Sequence, residues 1–191
     1  MQKLGLASLA FFYCDFREDQ KKDLRGLLSS LLVQLCHQSD SYCDILSNMY
    51  FDHHNGSRQP SDDALTKCLK EMIRLPRQPP VYLILDALDE CPILSSLSTP
   101  RDRVLILVGE LVDLQVPKLR ICVTSRPETD IKALLNPLTF YSISLHDAIG
   151  QMEAIENYIK SVVKTDRMMR RWNVADKQLV IEVLTSKADG M

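Results

Sequence analysis

Two polar clusters, each at the end of an apolar run, have residue types and spacing suited to chemistry. The first is Asp86-Ala87-Leu88-Asp89-Glu90, directly after Val81-Tyr82-Leu83-Ile84-Leu85. Carboxylates this close repel one another unless a cation or raised pKa values relieve the strain. A hydrated Mg²⁺ held by one carboxylate, its shell completed by substrate phosphates, is the usual solution. A second carboxylate nearby can orient or deprotonate an attacking water. The second cluster is Thr124-Ser125-Arg126-Pro127, after Leu119-Arg120-Ile121-Cys122-Val123. A guanidinium there can pair bidentately with phosphate oxygens and report whether a terminal phosphate is present. Thr124 and Ser125 can donate hydrogen bonds to the same group. The plain alternatives are a solvated strand end for the acids and an exposed arginine before a helix start.

The elements around these clusters give them a common location. Short apolar runs at 9–14 and 81–85 suit strands buried in a parallel sheet, 119–123 reads as another strand, and Phe140 to Leu145 reads as a last strand. Between them lie helical patterns. Leu24, Leu27, Leu28, Leu31, Leu32 and Leu35 mark one face of a helix over Asp19 to Gln38. A shorter helix is expected over Ser41 to Tyr50. Ser61 reads as the cap of the next, with buried positions at Leu65, Cys68, Leu69, Met72 and Ile73. Thr99-Pro100 starts another, and a short one spans Asp130 to Leu135. Strands alternating with helices predict βαβ crossovers, so Asp86 and Arg126 fall at one sheet edge, where open α/β sheets bind ligands. From Gln151 onward the pattern is helical throughout.

Bulk properties narrow the function classes. The chain has 191 residues, 46% of them hydrophobic, and a formal net charge of −2. That supports a sizeable core and gives no reason to expect nucleic acid or an anionic membrane as partner. Six cysteines occur without any C-x-x-C pair and read as reduced thiols. Cys43 with His53 and His54 has the wrong spacing for zinc. His37 and His146 stand alone beside apolar segments. Trp172 next to Arg170 and Arg171 reads as a packing anchor. The apolar stretch Leu4 to Cys14 is too short to span a bilayer and lacks a signal-peptide layout.

Leu83-Ile84-Leu85-Asp86-Ala87-Leu88-Asp89-Glu90-Cys91 closely resembles the Walker B segment of NACHT domains, above all the nephrocystin-like type of large fungal receptor-like proteins. Val123-Thr124-Ser125-Arg126-Pro127 resembles their sensor 1 segment. Ala10-Phe11-Phe12-Tyr13-Cys14-Asp15-Phe16-Arg17 resembles their second strand, and Lys187-Ala188-Asp189-Gly190-Met191 the start of a later helix. The resemblance implies a three-layer, parallel-sheet P-loop NTPase-like α/β core over residues 1–148, then the start of a helical subdomain over 149–191. It implies a cytoplasmic signal-transduction ATPase or GTPase of the STAND class that switches with nucleotide and self-associates or contacts other protein domains. Such proteins carry an effector domain and ankyrin, WD40 or TPR repeats. Mg²⁺ would sit on Asp86, hydrolysis on Asp89 and Glu90, and nucleotide contacts on Asp86, Thr124, Ser125 and Arg126.

One part of the pattern is missing. The family grips phosphates with G-x-x-x-x-G-K-[ST]. The glycines here are 5, 26, 56, 109, 150 and 190, and none precedes a lysine. The corresponding segment is expected upstream of Met1, along with a first strand lying between the sensor strand and the last strand. Without that strand, those two neighbours either pair directly or leave the chain marginally stable. Two readings follow: a nucleotide switch carrying Walker B and sensor 1 only, or a scaffold or decoy that contacts related proteins without binding nucleotide. A response-regulator reading, with Asp86 as phospho-acceptor, needs a lysine after the last strand, where His146 and Asp147 stand instead.

Overall fold

A computed structural model describes residues 6–93, 99–144 and 151–187. The chain forms two compact units, residues 1–138 and 139–191.

The first unit is a mixed α/β arrangement around a parallel sheet. β1 (Ser8–Tyr13), β2 (Val81–Asp86) and β3 (Leu119–Val123) lie side by side in that order. Leu9, Tyr82 and Arg120 share one register row, and Phe11, Ile84 and Cys122 the next. Alternation along the strands sends Ala10, Phe12, Val81, Leu83 and Leu85 to one face, where all five are buried. That face packs into a single core with α1 (Leu24–Cys36), α3 (Asp62–Arg74) and α4 (Pro100–Asp113). Leu27, Leu28, Leu31 and Leu35 of α1 are fully buried, each contributing about 1.5–3 kcal/mol by leaving water. The opposite face carries Phe11, Tyr13, Tyr82 and Cys122, all exposed. Within this unit the described helices therefore cover one side of the sheet, and the third layer expected from the sequence is absent among the described residues.

Local chemistry sets the helix boundaries. The helix expected from Asp19 is interrupted: a 3₁₀ turn spans Asp19–Lys21, and α1 starts only after Asp23, whose carboxylate accepts from Gly26 N at 2.9 Å. Gly26 is required there, because a Cβ would sit 1.8 Å from the Gln20 carbonyl oxygen. α2 (Asp40–Asp52) is slightly longer than expected at both ends. The turn after it passes through left-handed His54, Asn55 and Gly56. Ser61 caps α3 by accepting from Ala64 N at 3.2 Å. Thr99 and Asp102 form a reciprocal capping box on α4, with Pro100 in its first turn.

The outer edge of β1 is closed by side chains. Gln38 accepts from Leu9 N at 2.9 Å and donates to Leu9 O at 2.6 Å. Gln34 does the same for Phe11, at 3.0 and 2.7 Å. Two amides, Gln34 on α1 and Gln38 just beyond its end, thus stand in for a neighbouring strand.

α5 (Thr129–Leu135) ends the first unit's regular helices, with Ile131 in the core. The strand expected at Phe140–Leu145 does not form. Residues 140–144 have no strand pairing, Leu145 lies outside the described residues, and Phe140 and Tyr141 are 95% and 92% exposed. An apolar run becomes a strand only when it finds a neighbour to pair and pack against. The direct pairing with β3 considered above is accordingly not present.

The second unit holds α6 (Gln151–Thr165) and α7 (Val174–Lys187), which pack on each other. Between them Asp166 accepts from Met168 N and Met169 N, and Asn173 accepts from Asp176 N at the start of α7. No helix among the described residues is long and apolar enough to cross a membrane.

Candidate functional site

β2 delivers Asp86 to the carboxyl edge of the sheet, and the chain then turns sharply. Ala87 adopts φ 54°, a left-handed conformation uncommon for a residue with a Cβ, and Leu88–Glu90 form a 3₁₀ turn. Leu88 is fully buried, so the turn is pinned from beneath. The parallel neighbour β3 stitches it from the side. Thr124 N donates to Leu85 O at 2.9 Å, and Thr124 O accepts from Leu88 N at 3.0 Å. The Thr124 hydroxyl accepts from Ala87 N at 3.0 Å and donates to Asp86 Oδ1. Backbone and side chain of one threonine fix the acidic turn against the next strand.

The six candidate residues are brought to this one edge, with different roles. Asp89 is paired: Oδ1 accepts from Arg126 N at 3.0 Å and Oδ2 lies 3.4 Å from Arg126 Nε. Its side chain is 10% exposed, whereas that of Arg126 is 76% exposed. Asp86 commits one oxygen to Thr124. Glu90 accepts no hydrogen bond among the described residues, and Ser125 is exposed at the surface. The Asp15 hydrogen bond, then its charge, and to a lesser degree the charge of Glu90 raise the Arg17 guanidinium above its ordinary value.

Sequence reasoning missed Arg101. It lies in the first turn of α4, yet it is 4% exposed and central to the loop structure. Its Nε donates to Cys91 O at 3.0 Å and another nitrogen donates to Asp89 O. A third contact donates to Glu128 Oε2 at 2.6 Å and to Asp130 Oδ2 at 3.2 Å. Burial opposes its charge, and the two carboxylates outweigh that burial. One buried guanidinium therefore clamps the acidic turn to the segment following Arg126. Its polarity in a stretch already read as a helix start hid it.

Cys14, just beyond β1, lies beneath the acidic turn with its Sγ 3.3 Å from that of Cys91, both buried. The contact with Cys91, burial, and the charges of Asp89 and Asp86 push the Cys14 thiol well above the usual range. It stays protonated and structural.

The donor set suits a hydrated hard cation better than a protein cage. Among the described residues no three His, Cys, Asp or Glu side chains converge as metal ligands. Asp86 has one carboxylate oxygen without a partner among the described residues, which matches the one-carboxylate mode of Mg²⁺. A groove of about 580 Å³ between α3 and α4, lined by Lys70, Arg103 and Glu110, includes none of the candidate residues.

The family model for nephrocystin 3, N-terminal, matches residues 1–126, a span running from before β1 to Arg126 and containing all six candidate residues. No curated protein and no solved structure matches the chain. Because that match extends over more than half of its length, the chain belongs to the nephrocystin 3 N-terminal family.

Proposed function

We propose that the chain carries the hydrolysis and sensing half of a NACHT-like, STAND-class signalling NTPase. The observation that supports this reading is the contact of Asp86 with Thr124 and of Asp89 with Arg126 at the carboxyl edge of two adjacent parallel strands. In this reading Asp86 would hold Mg²⁺ through the carboxylate oxygen that has no partner among the described residues. The ion, when bound, would neutralise charge on the phosphates of ATP or GTP. Glu90 takes a proton from the attacking water, since Asp89 is engaged by Arg126. Asp89 orients Arg126, whose exposed guanidinium meets the terminal phosphate. Arg101 holds the turn that presents them.

The sequence contains no glycine-rich, lysine-bearing loop to grip phosphates. The reading therefore requires that grip to come from residues beyond 1–191 or from a partner, and residues 1–191 alone are expected not to turn over nucleotide. The same absence favours a second reading, a scaffold or decoy that contacts related proteins without nucleotide.

Mn²⁺ titration of the chain, followed by nuclear magnetic resonance, separates the two. The switch reading expects paramagnetic broadening confined to the amides of 86–90 and 124–126, abolished by Asp86→Asn. Broadening that is absent, or unchanged in Asp86→Asn, sinks it in favour of the scaffold. Magnesium-dependent hydrolysis by residues 1–191 that Glu90→Gln abolishes would show that the chain needs no external grip.

A further inference from the structure

Away from the acidic turn, two other cysteines meet. Cys36 is the last residue of α1, and Cys43 lies in the first turns of α2. Their Sγ atoms are 2.7 Å apart. That lies between the bonded S–S length of about 2.05 Å and the contact distance of unbonded sulfurs. Both helix ends around them are anchored. His37 N and Nδ1 contact Val33 O, and Gln38 N donates to Leu35 O at 2.8 Å. Tyr42 N and Cys43 N donate to Ser39 O, and the Tyr42 ring is fully buried. The two sulfurs are thus held together by the fold, and closing a bond between them needs only a small local shift.

Accessibility sets this pair apart from Cys14 and Cys91. Cys43 is exposed and Cys36 half-buried, whereas Cys14 and Cys91 are both shut in the core. A thiol–disulfide exchange needs a thiolate that a reagent can reach. We propose that Cys36 and Cys43 are a modification site, a vicinal dithiol that a low-molecular-weight disulfide such as glutathione disulfide oxidises reversibly to a Cys36–Cys43 cross-link.

The step balances as two exchanges. The Cys43 thiolate attacks one sulfur of glutathione disulfide, and a glutathione thiolate leaves to take up the proton Cys43 released. The Cys36 thiolate then attacks Sγ of Cys43 in the mixed disulfide, and the second glutathione leaves with the second proton. Two protein thiols are oxidised and one small disulfide is reduced to two thiols. The order follows from the surroundings. The contact with Cys43, with burial adding to it, pushes the Cys36 thiol up to about 11, so the exposed Cys43 attacks first and Cys36 resolves. The bond closes a loop over residues 37–42, which includes the turn that bears Gln38. That side chain seals Leu9 on the edge of β1, so the modification lies within reach of the sheet.

The test equilibrates the reduced chain with increasing ratios of glutathione disulfide to glutathione, then alkylates under denaturing conditions. Cleavage before aspartates separates Cys36 from Cys43 at Asp40. The expected result is a fall from six alkylatable thiols to four, with the fragments on either side of Asp40 joined and released by dithiothreitol. Cys36→Ser should instead stop at a stable glutathione adduct on Cys43. The proposal is overturned if Cys36 and Cys43 end as separate glutathione adducts without a cross-link. It is equally overturned if both stay alkylatable while Cys14 and Cys91 are lost first.

Discussion

Asp89 accepts the backbone N–H of Arg126 at 3.0 Å and faces its Nε at 3.4 Å, so the second acid of the acidic turn is tied to the end of the neighbouring strand. The three carboxylates are therefore not equivalent. Asp89 is positioned between strands, Asp86 shares one oxygen with Thr124, and Glu90 keeps its carboxylate uncommitted among the described residues.

The backbone hydrogen bond should matter more than the ion pair. Arg126 is largely exposed, and exposed pairs contribute little after solvent screening. Asp89→Asn keeps an acceptor for Arg126 N and is expected to change unfolding stability only slightly. Asp89→Ala removes it and should cost about 1–2 kcal/mol in urea denaturation. Equal losses in the two variants would assign the effect to charge and contradict this.

Arg101 is expected to be the costliest polar residue of the site. Its removal leaves the carbonyls of Asp89 and Cys91 and two carboxylates without their shared donor. Glu128 and Asp130 are partly open to water, which places the loss for Arg101→Met near about 3 kcal/mol, the low end for broken buried pairs. Arg101→Lys should rescue poorly, because an ammonium cannot span the same fork of acceptors. Both variants should let a thiol reagent reach Cys14 and Cys91 in the native state. Unchanged thiol protection would show that Arg101 does not hold the turn.

Asp15 offers a pH test. The Arg17 side chain, then its backbone N–H, lowers the Asp15 carboxyl from 3.8 to about 2. A depressed folded-state pKa means its contribution is complete above the ordinary value and disappears as pH falls through about 2. A carboxyl-detected titration should show that midpoint, moving back towards 3.8 in Arg17→Leu. A midpoint already near the ordinary value in the unaltered chain would remove the pairing.

Two helical glycines should respond in opposite directions to alanine. At Gly26 the new Cβ meets the Gln20 carbonyl oxygen at 1.8 Å, so the 3₁₀ turn must move and about 1–3 kcal/mol is lost. At Gly109 it meets Leu138 Cδ1 at 3.9 Å, an ordinary contact, and α4 should gain about 1 kcal/mol. Thermal melts of both variants decide the matter, and a stabilised Gly26→Ala would refute the close approach.

Much of this layout is legible in the residues. The run at 81–85 is apolar and that at 119–123 is apolar but for Arg120, and their alternation with helices places Asp86 and Arg126 on one edge without knowing a distance. The caps at Ser61 and Thr99 are equally readable, since both are small hydroxyl residues ahead of periodic apolar positions. What is not legible depends on contacts between distant segments. Arg101 looks like any polar residue in a first helical turn, and only folding brings Glu128 and Asp130 to it. The same holds for the pairing of Asp89 with Arg126, which joins residues of two different strand ends that no spacing along the chain connects. Phe140 to Ser144 fails in the other direction: its composition suits a strand, but a strand is a property of two segments. His146 lies outside the described residues.

The amides of Gln34 and Gln38 give the sheet a direction. They occupy the outward donors and acceptors of Leu9 and Phe11, while on β3 only Leu119, at its start, is similarly engaged among the described residues, by Val116 and the Arg120 side chain. A further strand, whatever chain supplied it, would meet a sealed margin at one side and free valences at the other. Growth of this sheet is thereby polarised by two side chains, one on α1 and one just past its end, and the margin left open is the one beside Thr124 and Arg126.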